Sequence, residues 1–469
     1  MVKKSVFFIC LFTLATFVGN AQVNPDGKTY QLNLQQCLEY AYANNDSLKN
    51  ARLDIESANY KVKETIGLGL PQVNGSASFQ DYLKVPSIPF PNFQYGLYKL
   101  LNDQGVQGSN GVIQIPVGME PFGLFSFTQK YSANYGVNVS QLLFNGTYLV
   151  GLQASKTFKE LSQKNLIRTK IQTDVSVTKA YYQVLVNGEQ LRLLDANLDQ
   201  LKKQLSETKE LNKQGFVEKI DLDRIQVLVN NLATTRENTT RLLALGVELL
   251  KFQIGMPINN ELIIKDKIEN VILEDNAAIY ADSTAYKKRV EYGLLETQRK
   301  LNQLDLKRIK SLALPSLSAM GSAGNAYQNN NFQNLFDMNL PSVYIGLQLN
   351  VPLFSGFQRL NQVRQAKIEV QKVNNILNSV KNGLQLQQES SRIMFTNGLQ
   401  SLNNQKANMS LAQEVLRVSR IKYEQGVGSS IEVTQAQTAL EQAENNYIQA
   451  LYNALISKVD LDRAYGRIQ

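Results

Sequence analysis

The hydrophobic positions of this chain follow two rhythms. Val363, Ala366, Val370, Val373, Leu377, Val380 and Leu384 are spaced alternately three and four apart. Leu191, Leu194, Leu198, Leu201 and Leu205 repeat that spacing, and so do Ala436, Leu440, Ala443, Tyr447, Ala450 and Ala454. Between them lie Asn, Gln, Lys and Glu. This is the seam of a coiled coil. From Tyr148 to Gln214 there is no proline, and the only glycines are Gly151 and Gly188. At 1.5 Å per residue a helix of that length runs ~100 Å, too long for one compact domain. The second rhythm has period two. Tyr131, Ala133, Tyr135, Val137 and Val139 alternate with Ser132, Asn134, Gly136 and Asn138. Val343, Ile345, Leu347, Leu349 and Val351 alternate with Tyr344, Gly346, Gln348 and Asn350. Val73, Ala77 and Phe79 after Pro71 predict a third strand. A weaker pattern after Pro315 (Leu317, Ala319, Ala323) predicts a fourth.

The pattern occurs twice. In KYEQGVGSSIEVTQAQ (422–437) a helical run is cut by glycines and resumes at once. LNKQGFVEKIDLDRIQ (211–226) does the same, with Gly215 and Gly426 211 positions apart. Gly255 and Gly466 are separated by the same interval. Phe144-Asn145-Gly146 matches Phe354-Ser355-Gly356 at an offset of 210. Each half reads helix, Leu-Pro, strand, loop, strand, Phe-x-Gly, very long helix, glycine break, helix, glycine. The two repeats are placed at residues 30–260 and 285–469. A long helix that returns alongside itself needs a tight turn, and glycine supplies the left-handed conformation that ends a helix. Gly215 and Gly426 therefore read as C-caps. Ser429 and Ser430 are the candidate N-caps of the returning helix, and Asp221 and Glu432 fall in first turns, where the helix dipole favours negative charge.

The N-terminus sets the compartment. MVKKSVFFICLFTLATFVGNAQ has Lys3 and Lys4, an apolar run from Val6 to Val18, and small residues at Gly19 and Ala21. It predicts a secretory signal peptide over residues 1–21, cut before Gln22. The run is too short to span a bilayer as a helix, and Cys10 within it lacks the small residues of a lipidation site. Cleavage removes two lysines and lowers the net charge from +9 to +7. The remaining excess is interspersed rather than blocked, which argues against nucleic acid. The mature chain keeps one cysteine, Cys37, so it has no intrachain disulfide. It has no histidine and no phosphate-binding loop, so nothing supports an enzyme, a metal or a cofactor.

Ten-residue strands with one apolar and one polar face suit a membrane β-barrel, or a half-buried soluble sheet. The signal peptide and the lack of a transmembrane helix favour the barrel. Four strands cannot close one, because eight is the practical minimum. Two chains would give eight strands and three would give twelve. The fold class is therefore mixed: a membrane β-barrel continued by a helical coiled-coil tube. The Phe-x-Gly joins would mark the inner membrane edge, with Phe144 and Phe354 as interfacial aromatics, or as ordinary core residues before a turn.

The order, duplication and spacing of these motifs, from AYANNDSLKNARLDIESANYKVKETIGLGLPQV to VDLDRAYG, resemble those of the TolC-type outer membrane efflux proteins (outer membrane factor family). The resemblance covers nearly the whole mature chain. It implies a homotrimer with a 12-stranded β-barrel, four strands per chain, and a long periplasmic α-barrel. An equatorial region would lie in residues 256–284 and the chain ends. It further implies a periplasmic gate at Asp221, Tyr423 and Glu432. Adaptor-contacting tips would be Gly215, Phe216, Val217, Gly426, Val427 and Gly428. The alternatives are that Asp221 and Glu432 are only helix-start carboxylates and Tyr423 only a seam residue. Where one family member carries an arginine at the second tip this chain has Gly428, which removes a basic partner for Asp221. The first half holds 34 more residues than the second between its Leu-Pro and its Phe-x-Gly. They fall within 82–130, which reads as an external loop over the barrel mouth, constricting or passive.

The implied function is the exit duct of a tripartite efflux system for small toxic molecules. Its partners would be outer membrane lipid, a periplasmic adaptor (membrane fusion protein) and an inner membrane transporter of the RND or ABC class. The alternative is the outer membrane channel of a type I protein secretion system. A periplasmic adaptor is disfavoured, because adaptors have one hairpin and this chain has two.

Overall fold

The computed structural model describes residues 27–268, 271, 273, 282 and 284–468. The expected signal peptide, including Cys10, and much of the expected equatorial segment lie outside the described residues.

In chain order the elements are β1 (Thr29–Leu32), α1 (Leu34–Asn44), α2 (Asp46–Gly67), β2 (Gln72–Asp81), β3 (Ile88–Pro91) and α3 (Phe93–Asp103). Then come β4 (Gln107–Gly108), β5 (Gly111–Val112), β6 (Phe122–Phe125), β7 (Tyr131–Asn145), α4 (Gly146–Lys213), α5 (Lys219–Ile254) and β8 (Glu261–Ile264). The remainder is α6 (Val290–Ser311), β9 (Ser316–Asn329), β10 (Asn339–Asn350), α7 (Gln358–Glu424) and α8 (Ser430–Ala464). No described helix is long and apolar enough to cross a membrane. The chain divides into two compact units, one made of residues 51–166 and 290–383, the other of residues up to 50, 167–289 and 384 onward.

In the first of these units a four-stranded antiparallel sheet has the order β10-β9-β7-β2. The expected alternation sets its register. Val73 pairs with Val139, Val137 with Ala323, and Val343 with Ala323 on its other side, so apolar residues share one face. Asn74 opposite Asn138, and Ser318 opposite Gln348, put polar residues on the other. The apolar face is exposed; Ile345 keeps 91% of its surface and Leu347 72%. Aromatic rings gather at the far end of the sheet. Phe79 stacks on Tyr131 at 6.4 Å, Phe332 meets both rings edge-on, and Tyr327 joins Tyr135 and Phe336 at 6.0 and 5.2 Å. An apolar band ending in aromatic residues is the pattern of an outer-membrane-type strand. A bulge at Leu143 shifts the β7–β9 register between Leu142 and Phe144, just before the chain enters α4. The start of α4 is tied to α6 by Lys164, whose Nζ donates to Thr297 Oγ1 at 2.7 Å and to Gly293 O at 3.3 Å.

The 82–130 segment is more ordered than the bare loop its sequence suggested. β3 pairs with β6 and β4 with β5, and Asn92 caps α3 by accepting from Gln94 N and Tyr95 N. Phe90 holds these pieces together, with Phe93, Phe125 and Phe127 each within 5.8 Å of its ring.

The second unit holds the helical hairpins. Its seams include Leu194, Leu198, Leu201, Ala436 and Leu440 read from the sequence, joined by partners on the facing helices. Leu194, Leu198 and Leu201 of α4 are buried with Ile225, Val229 and Leu232 of α5. Leu416 of α7 is buried with Val433, Ala436 and Leu440 of α8. A further core joins Val177, Tyr181 and Val184 of α4 to Cys37 and Ala41 of α1 and to Leu250 and Ile254 of α5. β1 and β8 form a parallel pair, Thr29 opposite Glu261 and Leu32 opposite Ile264. Asp266 fastens this region: its Oδ2 accepts from Tyr181 Oη at 2.7 Å and from Leu34 N at 3.2 Å.

Candidate functional site

The two helical tips are built alike. At the first, Gly215 has φ +80° and Phe216 N donates to Leu211 O at 3.0 Å. At the second, Gly426 has φ +74° and Val427 N donates to Lys422 O at 3.0 Å. A left-handed residue followed by a bond back to the carbonyl five positions earlier is a Schellman end, so both glycines are the expected C-caps. The returning helices start differently. Ser429 Oγ accepts from Glu432 N at 3.2 Å and caps α8, whereas Ser430 lies inside the helix with a buried, unpartnered Oγ. At α5 the capping position is Glu218, without a side-chain cap, and Asn212 Nδ2 steadies the turn by donating to Val217 O at 2.7 Å. The loop side chains turn outward: Phe216 is 76% exposed and Val427 79%. A Cβ at Gly428 would lie 2.9 Å from Lys422 Cβ and 3.0 Å from Tyr423 N, so this tip has no room for a side chain there.

Of the three expected gate residues, two come together. Asp221 and Tyr423 line one open cleft along the hairpins, with Arg224, Arg420 and Glu424. Burial and the Asp221 carboxylate both push the Tyr423 phenol above its ordinary pKa. The basic partner that the sequence seemed to lack is on the same helix, since Arg224 Nη1 lies 3.1 Å from Asp221 Oδ1. Glu432 does not line the cleft; it is exposed on the first turn of α8.

Into the wall of the same cleft runs a polar seam that the sequence reading missed, with Asn197, Arg420 and Glu444 among the lining residues. Asn197 of α4 donates to Glu444 Oε2 of α8, and both side chains are more than nine-tenths buried. On α8, Gln437 Nε2 donates to Glu441 Oε1 at 3.5 Å, and Gln437 Oε1 accepts from Arg420 Nη2 of α7 at 3.1 Å. Burial pushes the Glu444 carboxyl up to about 7, helped by the Glu441 charge and opposed by the Asn197 hydrogen bond and Arg192. Burial raises Glu441 too, and lowers Arg420, whose Nε is buried without a hydrogen-bond partner. A signal was present. Gln437, Glu441 and Glu444 each follow a seam position (Ala436, Leu440, Ala443), so they lie on the packed side of α8.

The two barrel-to-helix joins share a sequence pattern but not a geometry. Phe144 is the penultimate residue of β7 and Gly146 is the first residue of α4. A Cβ at Gly146 would stand 2.8 Å from Leu314 Cδ1 and 3.1 Å from Ser311 Cβ, so a larger residue there would push these neighbours aside. Gly356 instead has φ +55° and Phe357 φ +61°, and Phe354 meets Phe357 edge-on at 5.7 Å.

The family model described as "Outer membrane efflux protein" matches residues 37–240 and 282–467. The chain belongs to the outer membrane efflux protein family. Among curated members it is 23% identical over 370 residues to the probable efflux pump outer membrane protein TtgC of Pseudomonas putida, covering 76% of this chain and 74% of that one. It is 20% identical over 445 residues to outer membrane protein TolC of Salmonella enteritidis, covering 93% and 82%. Among solved structures, the CmeC outer membrane channel of Campylobacter jejuni superposes with a TM-score of 0.70 at 16% identity, over 92% of this chain and 85% of that one. The open-state MtrE outer membrane channel of Neisseria gonorrhoeae gives 0.69 at 16% identity, over 92% and 88%. The efflux protein thus has the TolC-type fold, and the outer membrane is its place.

Proposed function

We propose that this chain is the outer membrane exit duct of a tripartite efflux system, passing small toxic molecules outward from an inner membrane pump and a periplasmic adaptor. The observation that carries this is the four-stranded sheet. One face is exposed and apolar, the other polar, and the end strands β2 and β10 each keep an edge unpaired in the single chain. An apolar sheet with open edges is not stable in lipid, where every backbone group needs a partner. Three copies joined edge to edge would close twelve strands around a polar lumen. The exposed apolar side chains on the hairpins, such as Leu242, Leu245 and Leu249 on α5 and Leu411 and Val415 on α7, suit contacts between such copies.

Residues 30–260 and 285–469 serve as duplicated halves of the duct, and the tips Gly215-Phe216-Val217 and Gly426-Val427-Gly428 as its adaptor-facing end. The outward Phe216 and Val427 support that reading. Asp221 and Tyr423 form the closing contact; Glu432 contributes through a ring of three carboxylates around the pore, which would favour cations. The pump is of the RND or ABC class, and the polar lumen leaves selection to it.

Single-channel conductance of the purified oligomer tests this. The wild type should show a small, cation-selective conductance. Asp221→Ala combined with Tyr423→Phe should raise it several-fold. A large wild-type conductance, unchanged in the double variant, would move the gate elsewhere; no conductance from a correctly assembled oligomer would remove the duct.

A further inference from the structure

The buried seam between α4 and α8 is out of keeping with its surroundings. Each hairpin packs on itself through Leu, Val, Ile and Ala, and an apolar core joins the two hairpins through Val186 of α4, Leu402 of α7 and Ile448, Leu451 and Leu455 of α8. Beside these apolar cores Asn197, Gln437 and Glu444 place polar side chains over about two turns of α8, each more than nine-tenths buried. An uncompensated buried carboxylate is costly, and mutually facing carboxylates more so. Glu444 has one hydrogen-bond donor, Asn197, and its carboxylate neighbour is Glu441. A small cavity of about 80 Å³ adjoins the two carboxylates, lined also by Gln190 of α4, Asn231 and Thr235 of α5 and Asn445 of α8. Glu444 also lines the open cleft, whose further titratable groups are Glu218, Asp221 and Arg224 of the first tip and Arg417, Tyr423 and Glu424 of α7. On α4 the charged groups are Arg192, which is bound to Glu189 at 2.7 Å, and, further along, Lys203 and Glu207. On α5 the nearest is Arg236, which is engaged with Asp195 at 2.8 Å. On α7 it is Arg420, directed to Gln437.

We infer that this seam is a proton-operated latch between the two helical hairpins, fastened when Glu444 is protonated and loosened when it ionises. A protonated Glu444 still accepts from Asn197 and brings no charge into the seam or against Glu441. Once ionised, it holds a charge between helices whose separation would return it to water. The sign follows from the direction of the shift. A carboxyl raised when packed, from 4.5 to about 7, fastens the seam fully below about pH 4.5, and the effect is lost as pH rises through about 7. A shift of that size changes the ratio of packed to parted seam by on the order of 300-fold.

As a latch on the duct this rests on the function proposed above, so two readouts are needed. The first is thermal unfolding of the purified oligomer, followed by helical circular dichroism between pH 5 and 8. Glu444→Gln mimics the protonated side chain. It should match the wild type at pH 5 and unfold at a higher temperature than the wild type at pH 8. Parallel curves at every pH would overturn the latch, whatever the channel does. The second readout is conductance over the same range. The wild type should open more as pH rises and Glu444→Gln should stay at the acid level. A diverging pair of unfolding curves with identical conductance profiles would leave the duct intact and overturn the latch as a device acting on it. Absence of any conductance would sink the duct alone, and the unfolding curves would still decide the seam.

Discussion

Gly255 and Gly215 both end a helix in the left-handed region, with φ of +71° and +80°, yet their substitutions should behave differently. At Gly215 a Cβ would meet nothing within 4 Å. Only backbone strain is at stake, roughly 1–2 kcal/mol for alanine and less for asparagine, which visits this conformation readily. At Gly255 a Cβ would lie 2.7 Å from Asn44 O and 2.9 Å from Asn45 Cα. That backbone cannot withdraw easily. Asn45 N donates to Ala41 O at 2.9 Å, and Asn45 Nδ2 donates to Gln253 O at 2.9 Å, closing the same corner from both sides. Its neighbours Ile254 and Met256 are buried, so the core is full. Overpacking adds about 1–3 kcal/mol, for a total of roughly 2–5 kcal/mol. Asparagine relieves the strain but not the clash. Thermal unfolding of the purified oligomer should therefore put Gly215→Asn close to wild type and Gly255→Asn several degrees below it. If the two asparagine variants unfold together, the close approach between the α1–α2 corner and the end of α5 is refuted.

Two further outcomes are expected. Asp266→Ala should orphan the Tyr181 hydroxyl and the Leu34 amide, costing about 3–5 kcal/mol for two bonds to a charged acceptor. Hydrogen exchange at Leu34 should speed up accordingly, and Asp266→Asn should fall between. Phe395 is 1% exposed and packs on Leu461 and Ala464. Phe395→Ala should cost roughly 3–5 kcal/mol, read as a lower unfolding temperature with the tip conductance unchanged.

Much of this architecture was legible because its two periods are long and uninterrupted. Leu194-Leu198-Leu201 and Ala436-Leu440 could be read as seams, since no proline or glycine competes with them. Gly215 and Gly426 stood out against such helices, and their caps followed. What escaped was non-local. The seam spacing puts Gln437, Glu441 and Glu444 on the packed side of α8 but does not name their partners. Glu444 is paired with Asn197, 247 positions away in the chain, and Gln437 with Arg420 of the neighbouring helix. The bulge at Leu143 shows only when β9 is laid beside β7. The 82–130 segment read as loop because it is rich in Pro, Gly and aromatic residues, and its short strands are held by contacts among Phe90, Phe93, Phe125 and Phe127 rather than by a pattern. Gly146 and Gly356 looked equivalent, but one is small for its neighbours and the other for its φ.

The parallel pairing of β1 with β8 bears on the order of folding. Its partners, Thr29 and Glu261, are 232 positions apart. Closing a flexible loop of that length costs about 5 kcal/mol in chain entropy. The gain from four paired residues does not cover it. The turn at Gly215 changes the arithmetic, because zipping α5 back along α4 shortens the open segment before the strands meet. The expected sequence therefore starts at the tip, runs along the hairpin, and seals at β1–β8. The N-terminal strand, made first, would be the last part of its half to find its place.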